Sequence, residues 1–147
     1  SLWMAAHLGG LFLDRLVYGL WLSCPGIPDM FYGVHLSQDI LQSAGVRRYK
    51  TEFISCPGCG RTLYNLQESV AKVKKAFAHL SRLKIAVMGC VVNGPGEMGD
   101  ADYGYVGAGN GKVNLFRGKE MVRVAVPEEE AIEVLKQLIK ENGDWND

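Results

Sequence analysis

The spacing of apolar positions in the first part of the chain predicts a strand between two helical segments. Residues 2–8 are typical of the end of a helix that stops at Gly9-Gly10, because glycine commonly closes helices. The apolar run over 16–22 predicts a buried strand. A further helix is expected over 29–44, with Gly45 at its end. A strand, a loop and a helix in this order form one α/β unit, separated from its neighbours.

After residue 50 the hydrophobic period changes several times and predicts a compact α+β domain. A long helix over 62–80 carries apolar side chains at steps of three and four. Short apolar runs predict strands over 51–55, 83–88, 103–108, 113–116 and 121–126. A last helix is expected to begin at Pro127, with glutamates in its first turn, and to close at Gly143. This order predicts a small mixed sheet with two helices.

The chain is expected to be a piece of a longer protein. It opens on Ser1 in the middle of an apolar pattern, without an initiator Met, which is typical of an excised fragment. The basic and polar stretch over 45–50 predicts a domain boundary. Residues 1–50 would then be the remnant of a preceding domain, and residues 51–147 a domain of their own.

Composition and charge argue against several classes of protein. The formal net charge is +0 and the basic residues are scattered, so no surface for nucleic acid is indicated. The longest apolar run, residues 11–22, contains charged residues and is shorter than the roughly 20 residues that span a bilayer. The 4 cysteines fit a reducing cytoplasm better than a disulfide framework.

Two glycine- and proline-rich loops carry the candidate chemistry. The first contains Cys56 and Cys59 in a C-x-x-C pair, and the second contains Cys90 and Glu97. Thiolates bind soft metals, especially zinc and iron–sulfur clusters. The loops therefore predict a metal site with three Cys ligands and an open or oxygen-filled fourth position. Cys24 lies in a similar Ser-Cys-Pro-Gly phrase without a second Cys nearby, so we interpret it as a bystander.

Two other interpretations of the cysteines remain open at this point. A C-x-x-C pair can be a redox dithiol, although that role would not require Cys90. Structural zinc is a stronger alternative, but such sites are usually closed by four Cys or His ligands. His79 is the only His after the first loop, and it falls well into the predicted long helix. This composition favours a cluster with an unusual fourth ligand over zinc.

The amino-acid sequences of the two loops resemble those of one enzyme family. Residues 54–62 (Ile-Ser-Cys-Pro-Gly-Cys-Gly-Arg-Thr) and 88–97 (Met-Gly-Cys-Val-Val-Asn-Gly-Pro-Gly-Glu) are similar to the cluster loops of the 4-hydroxy-3-methylbut-2-enyl diphosphate synthases. The phrase Ala-Asp-Tyr-Gly over 101–104 and the glycines of 107–109 also match. The similarity covers nearly all of residues 51–143. Residues 9–50 resemble, more loosely, the end of the TIM-type barrel that precedes this domain in the family.

The resemblance implies a sulfite-reductase-like domain with a [4Fe–4S] cluster, in an enzyme of non-mevalonate isoprenoid biosynthesis. That enzyme reductively opens 2-C-methyl-D-erythritol 2,4-cyclodiphosphate to 4-hydroxy-3-methylbut-2-enyl diphosphate, with flavodoxin or ferredoxin as electron donor. By resemblance, Cys56, Cys59 and Cys90 are the thiolate ligands and Glu97 the carboxylate ligand. Asn93 resembles a residue beside the open iron, although Asn-Gly is also strong turn chemistry. The full-length enzyme would be a homodimer.

Three hypotheses follow for the function. The first is the cluster-bearing C-terminal part of this iron–sulfur oxidoreductase, inactive alone because the barrel that binds most of the diphosphate is absent. The second is a non-catalytic zinc-binding module. The third is a small electron carrier, which would need no upstream barrel.

Overall fold

A computed structural model describes residues 2–29, 31–62, 64–92 and 94–146. The chain divides into two compact units, one ending at Tyr49 and the other beginning at Lys50. Within the described residues, no helix is long and apolar enough to cross a membrane.

The first unit is helical, and it corrects two sequence-based expectations. Its helices are α1 (Leu2–Leu13) and α2 (Tyr32–Ser43), which share a small core around Phe12, Ile40 and Leu41. α1 continues through Gly9-Gly10 instead of ending there, and the chain turns left-handed only at Arg15 (φ 57°). Glycine lowers helix propensity by only about 1 kcal/mol, and burial of Phe12 one turn later favours continuation of the helix.

The predicted strand over 16–22 is also wrong. This segment has no regular structure, and Tyr18 and Trp21 are 85% and 91% exposed. An apolar run becomes a buried strand only when a neighbouring strand takes up its backbone hydrogen bonds. Within the described residues, all pairing is among strands of the second unit.

The second unit has the predicted α+β architecture. Its elements are β1 (Glu52–Ser55), α3 (Leu66–Phe77), β2 (Lys84–Met88), the single turn α4 (Gly94–Glu97), β3 (Tyr103–Gly109), β4 (Lys112–Arg117), β5 (Glu120–Pro127) and α5 (Ala131–Glu141). The strands lie in chain order in one mixed sheet. β1, β2 and β3 are mutually parallel, whereas β3, β4 and β5 are joined as antiparallel hairpins.

The central strands of this sheet, β2, β3 and β4, are covered on both faces. The main core lies on one face, where α3 and α5 contribute buried side chains; it includes Val73, Phe77, Ile85, Val87, Tyr103, Tyr105, Leu115, Leu135 and Ile139. A smaller cluster on the other face consists of Ala86, Met88, Met98, Ala101, Val106 and Phe116. Because β2 is buried on both faces, its carboxyl end has a fixed position from which a loop can be built.

Two helix starts lie later than the periodicity predicts. α3 begins after Asn65, whose side chain accepts the backbone N–H of Glu68 (3.2 Å). Pro127 ends β5 opposite Lys112 instead of opening the last helix, since the following N–H of Glu128 donates to Gly111 O (2.9 Å). The glutamates after Pro127 therefore form a turn, and α5 begins only at residue 131.

Candidate metal centre

The predicted ligands lie together at one edge of the sheet. Cys56 and Cys59 lie in the loop after β1, Cys90 lies two residues beyond β2, and Glu97 ends α4. All four residues line one cavity of about 80 Å³. The fifth predicted residue, Asn93, lies outside the residues that the structure describes.

Parallel pairing brings the two loops together. Ser55 of β1 is in register with Val87 of β2, so both strands deliver their loops to the same edge. The backbone N–H of Gly89 donates a hydrogen bond to Cys56 Sγ at 3.2 Å. This bond joins the end of β2 directly to the first cysteine of the other loop.

Close approach of the loops depends on small residues. A Cβ on Gly89 would lie 3.2 Å from Thr62 Cβ and Cγ2, and closer still to its hydroxyl oxygen. A Cβ on Gly94 would lie 3.2 Å from Met88 Cβ. Gly58, between the first two cysteines, has a left-handed backbone (φ 80°) that L side chains rarely adopt. Glycine at these positions therefore permits the loops to converge.

Thr62 and Tyr64 form hydrogen bonds that hold the two loops of the cavity in place. The sequence alone did not identify either residue. The Thr62 hydroxyl accepts the backbone N–H of Cys59 (3.2 Å). The Tyr64 hydroxyl donates to Met88 O (2.8 Å), and its ring occupies the space that a Cβ on Gly107 would need. Burial raises the pKa of Tyr64, so it remains a neutral donor. The only sequence signal was a glycine inside a predicted strand, which marks close approach.

Arg61 carries the positive charge at the cavity. Arg61 lines the cavity together with Cys59 and Cys90, and hydrogen bonding to these two thiols raises the pKa of its guanidinium. The hydrogen bond from its backbone N–H, together with the guanidinium, lowers the pKa of the exposed Cys59 thiol. The thiolate form, which binds metals, is thereby favoured at this position.

Three thiols and one carboxylate around one cavity are donors that an iron–sulfur cluster can use. Among the described residues, no group of three His, Cys, Asp or Glu side chains could hold one metal ion. Zinc needs its ligands about 2.0–2.3 Å from a single point. A cluster takes each thiolate on a different iron, so its donors stand around a larger body, as they do around this cavity. The N–H donated to Cys56 Sγ also belongs to the type of hydrogen bond that tunes cluster sulfurs.

The fold and the cavity define a class: small α+β domains with a thiol-lined site at the carboxyl edge of a parallel strand pair. Residues 52–141 match the family model described as "GcpE protein C-terminal domain". The chain belongs to this family.

Curated relatives carry one name. The chain is 52% identical over 143 residues to the 4-hydroxy-3-methylbut-2-en-1-yl diphosphate synthase (flavodoxin) of Porphyromonas gingivalis, covering 97% of this chain and 24% of that protein. The synthases of the same name from Parabacteroides distasonis and Leptospira interrogans are 55% and 54% identical, over 96% and 97% of this chain. Those alignments cover 23% and 22% of the relatives. The chain thus spans about a quarter of their length.

Proposed function

We propose that the chain is the cluster-bearing part of a 4-hydroxy-3-methylbut-2-enyl diphosphate synthase. The enzyme would reductively open 2-C-methyl-D-erythritol 2,4-cyclodiphosphate, with loss of a hydroxyl, in non-mevalonate isoprenoid biosynthesis. The proposal is supported by the family match over 52–141 and by relatives of that name about half identical to this chain. A cytoplasmic location is proposed because the site requires free cysteines.

The observation that carries the proposal is the cavity in which three thiols and one carboxylate meet. We assign Cys56, Cys59 and Cys90 as thiolate ligands of a [4Fe–4S] cluster and Glu97 as its fourth ligand. A purely electron-transferring cluster normally has four Cys. A carboxylate is a harder ligand for iron than thiolate and is more easily replaced. The mixed donor set therefore suits an enzyme better than an electron carrier.

The residues of this chain would act by holding the cluster and by orienting its ligands. When bound, the cluster supplies electrons and a Lewis-acidic iron. The three cysteines would hold it from two loops, and the hydrogen bond from the Gly89 N–H would fix the orientation of the Cys56 sulfur. The Glu97 carboxylate, at the end of α4, would hold the remaining iron and, as the most easily replaced ligand, would leave that iron accessible to substrate. Asn93, also proposed as catalytic, would contact substrate beside Glu97.

Analysis of metal and sulfide tests this assignment. After anaerobic reconstitution, the chain should contain iron and acid-labile sulfide in equal amounts, close to four of each per chain for a [4Fe–4S] cluster. Zinc at one per chain, with no sulfide, would instead support a structural zinc module and contradict the proposal. Cys24→Ser is the matched control, because this cysteine lies in the first unit and should leave the iron content unchanged.

The remaining partners belong to the whole enzyme. Flavodoxin, which appears in the relatives' names, or ferredoxin would donate the electrons. The full-length enzyme would be a homodimer with an upstream TIM-type barrel. Residues 1–50 would be the end of that barrel. Because the barrel would provide most of the diphosphate contacts, the reconstituted chain alone should not turn over the cyclic diphosphate. Turnover with reduced flavodoxin at the rate of a full-length relative would show that the substrate does not need the barrel, which would contradict this location of the diphosphate site.

A further inference from the structure

Arg61 occupies a position that the ligand assignment leaves unexplained. It lies two residues after Cys59 and is exposed, yet it lines the cavity together with residues of both loops. Among the described residues that line the cavity, Arg61 is the only cation and Glu97 is the only carboxylate. An exposed arginine without a function would more commonly extend into solvent.

The contacts of Arg61 connect the two loops. Arg61 lines the cavity beside Cys59 of one loop and Cys90 of the other. Hydrogen bonding to Cys59 and, more weakly, to Cys90 raises the pKa of the guanidinium. Cys59 follows β1 and Cys90 follows β2, so a single side chain bridges thiols from different strands. The guanidinium suits this task because it presents several N–H donors in a rigid planar fork.

The positive charge of Arg61 would affect how easily a bound cluster is reduced. With a cluster bound, three thiolate ligands and one carboxylate would place negative charge around a small cavity, and each added electron would increase it. A guanidinium keeps its proton at every pH a protein tolerates, so its positive charge is permanent. A fixed cation beside the sulfurs stabilises the reduced form more than the oxidised form, and net charge and hydrogen bonds to sulfur set cluster potentials.

We propose that Arg61 is a positioning residue of the metal centre, which holds the Cys59 and Cys90 thiolates in one geometry and makes the bound cluster easier to reduce. This inference rests on the proposed function, since it requires a cluster at this cavity. Arg61 touches ligands and not reacting atoms, so it acts through the thiolates.

A redox titration of the anaerobically reconstituted 147-residue chain tests the proposal. Arg61→Gln removes the charge but keeps a polar side chain, and should shift the cluster midpoint potential to a more negative value. The variant should also lose iron to a chelator several-fold faster than the unchanged chain. Arg61→Lys keeps a point charge without the fork, so its potential should lie between those of Arg61→Gln and the unchanged chain.

Arg117→Gln is the matched control. Arg117 ends β4 opposite Tyr103, the first residue of β3, whereas the cavity lies at the carboxyl ends of the parallel strands. This variant removes the same charge from the chain and should leave both the potential and the rate of iron loss unchanged.

The outcomes separate this inference from the proposed function. An unchanged chain that takes up no iron and sulfide would contradict the proposed function. A loaded Arg61→Gln chain with the potential and iron-loss rate of the unchanged chain would overturn the role of Arg61 alone. If Arg61→Gln fails to load, Arg61→Lys decides the question. Loading of Arg61→Lys supports a role of the charge, and failure of both variants in a normally folded chain supports a role of the guanidinium fork.

Discussion

Gly89 is the residue at which the two loops approach most closely. In Gly89→Ala, the new methyl group would overlap Thr62, whose own position is tied to the backbone of Cys59. We expect the loops to separate, with loss of most iron binding and a stability cost of about 1–3 kcal/mol from overpacking. Iron content after reconstitution and chemical denaturation measure the two effects.

Gly60→Ala is the control for this substitution. A Cβ at Gly60 would meet no atom within 4 Å, although Gly60 belongs to the same loop. Iron binding should therefore remain as in the unchanged chain. Equal loss of iron in both variants would indicate a general sensitivity of the loop and not the contact with Thr62.

Substitution of the cysteines tests the ligand set residue by residue. Cys56→Ser, Cys59→Ser and Cys90→Ser should each abolish stable cluster binding, because only these thiols line the cavity. The charge-transfer absorption of the reconstituted chains measures the loss. A complete loss in Cys24→Ser would show that the ligand set is wrong.

Residues differ in how far the sequence reveals their roles. The cysteines could be proposed as ligands because few residue types bind iron and because their spacing is distinctive, whereas Glu97 could be proposed only through the resemblance of its loop. Thr62 and Tyr64 could not, since their roles arise from contacts with Gly89 and Gly107, which are distant along the chain. A hydroxyl that packs against a glycine leaves no pattern in the local sequence.

At the scale of elements, α3 depends on its cap. Asn65 accepts the N–H of Glu68, while its own amide donates to the Glu68 carboxylate (3.2 Å). Asn65→Ala should therefore lower the free energy of unfolding by about 1 kcal/mol. Asn65→Ser should lose much less, because serine is an equally good cap and adds no charge beside Glu68. Denaturation by urea measures both variants, and equal losses would contradict a capping role.

Helices and strands were predictable where the local sequence pattern agreed with the way each element packs against its neighbours. The five strands and the two longer helices of the second unit, α3 and α5, were found because turns, periods and glycines indicate the same elements, although both helices begin later than predicted and the single turn α4 was not predicted. α1 and residues 16–22 were not, because their outcome depends on packing. A buried Phe12 carries the helix past two glycines, and an apolar run remains irregular without a strand beside it.

For the whole molecule, a buried tyrosine predicts how stability changes in alkali. Burial raises the pKa of Tyr105 from its ordinary value of 10.0 to about 12. Between these values the unfolded chain loses the proton and the folded chain keeps it, so stability falls as pH rises. The loss approaches roughly 2–3 kcal/mol by the upper end of that interval. In Tyr105→Phe, the free energy of unfolding should fall less steeply with pH; an unchanged slope would contradict the prediction.

The body of the second unit should not require metal. Its main core, formed by α3, α5 and the sheet, contains no cysteine among the described residues. We therefore expect circular dichroism to show the same helix and strand content with and without iron, and thermal unfolding to remain cooperative after chelation. Loss of cooperative unfolding in the metal-free chain would contradict this expectation.

The mixed sheet affects the order in which the strands pair and iron is bound. β3, β4 and β5 are joined by tight turns, whereas β1 reaches β2 only across the whole of α3. Contacts between neighbours in sequence form quickly, and parallel pairs separated by a long crossover form slowly. The hairpins should therefore be complete while the thiols are still apart, so that iron is inserted late, into a chain that has already folded.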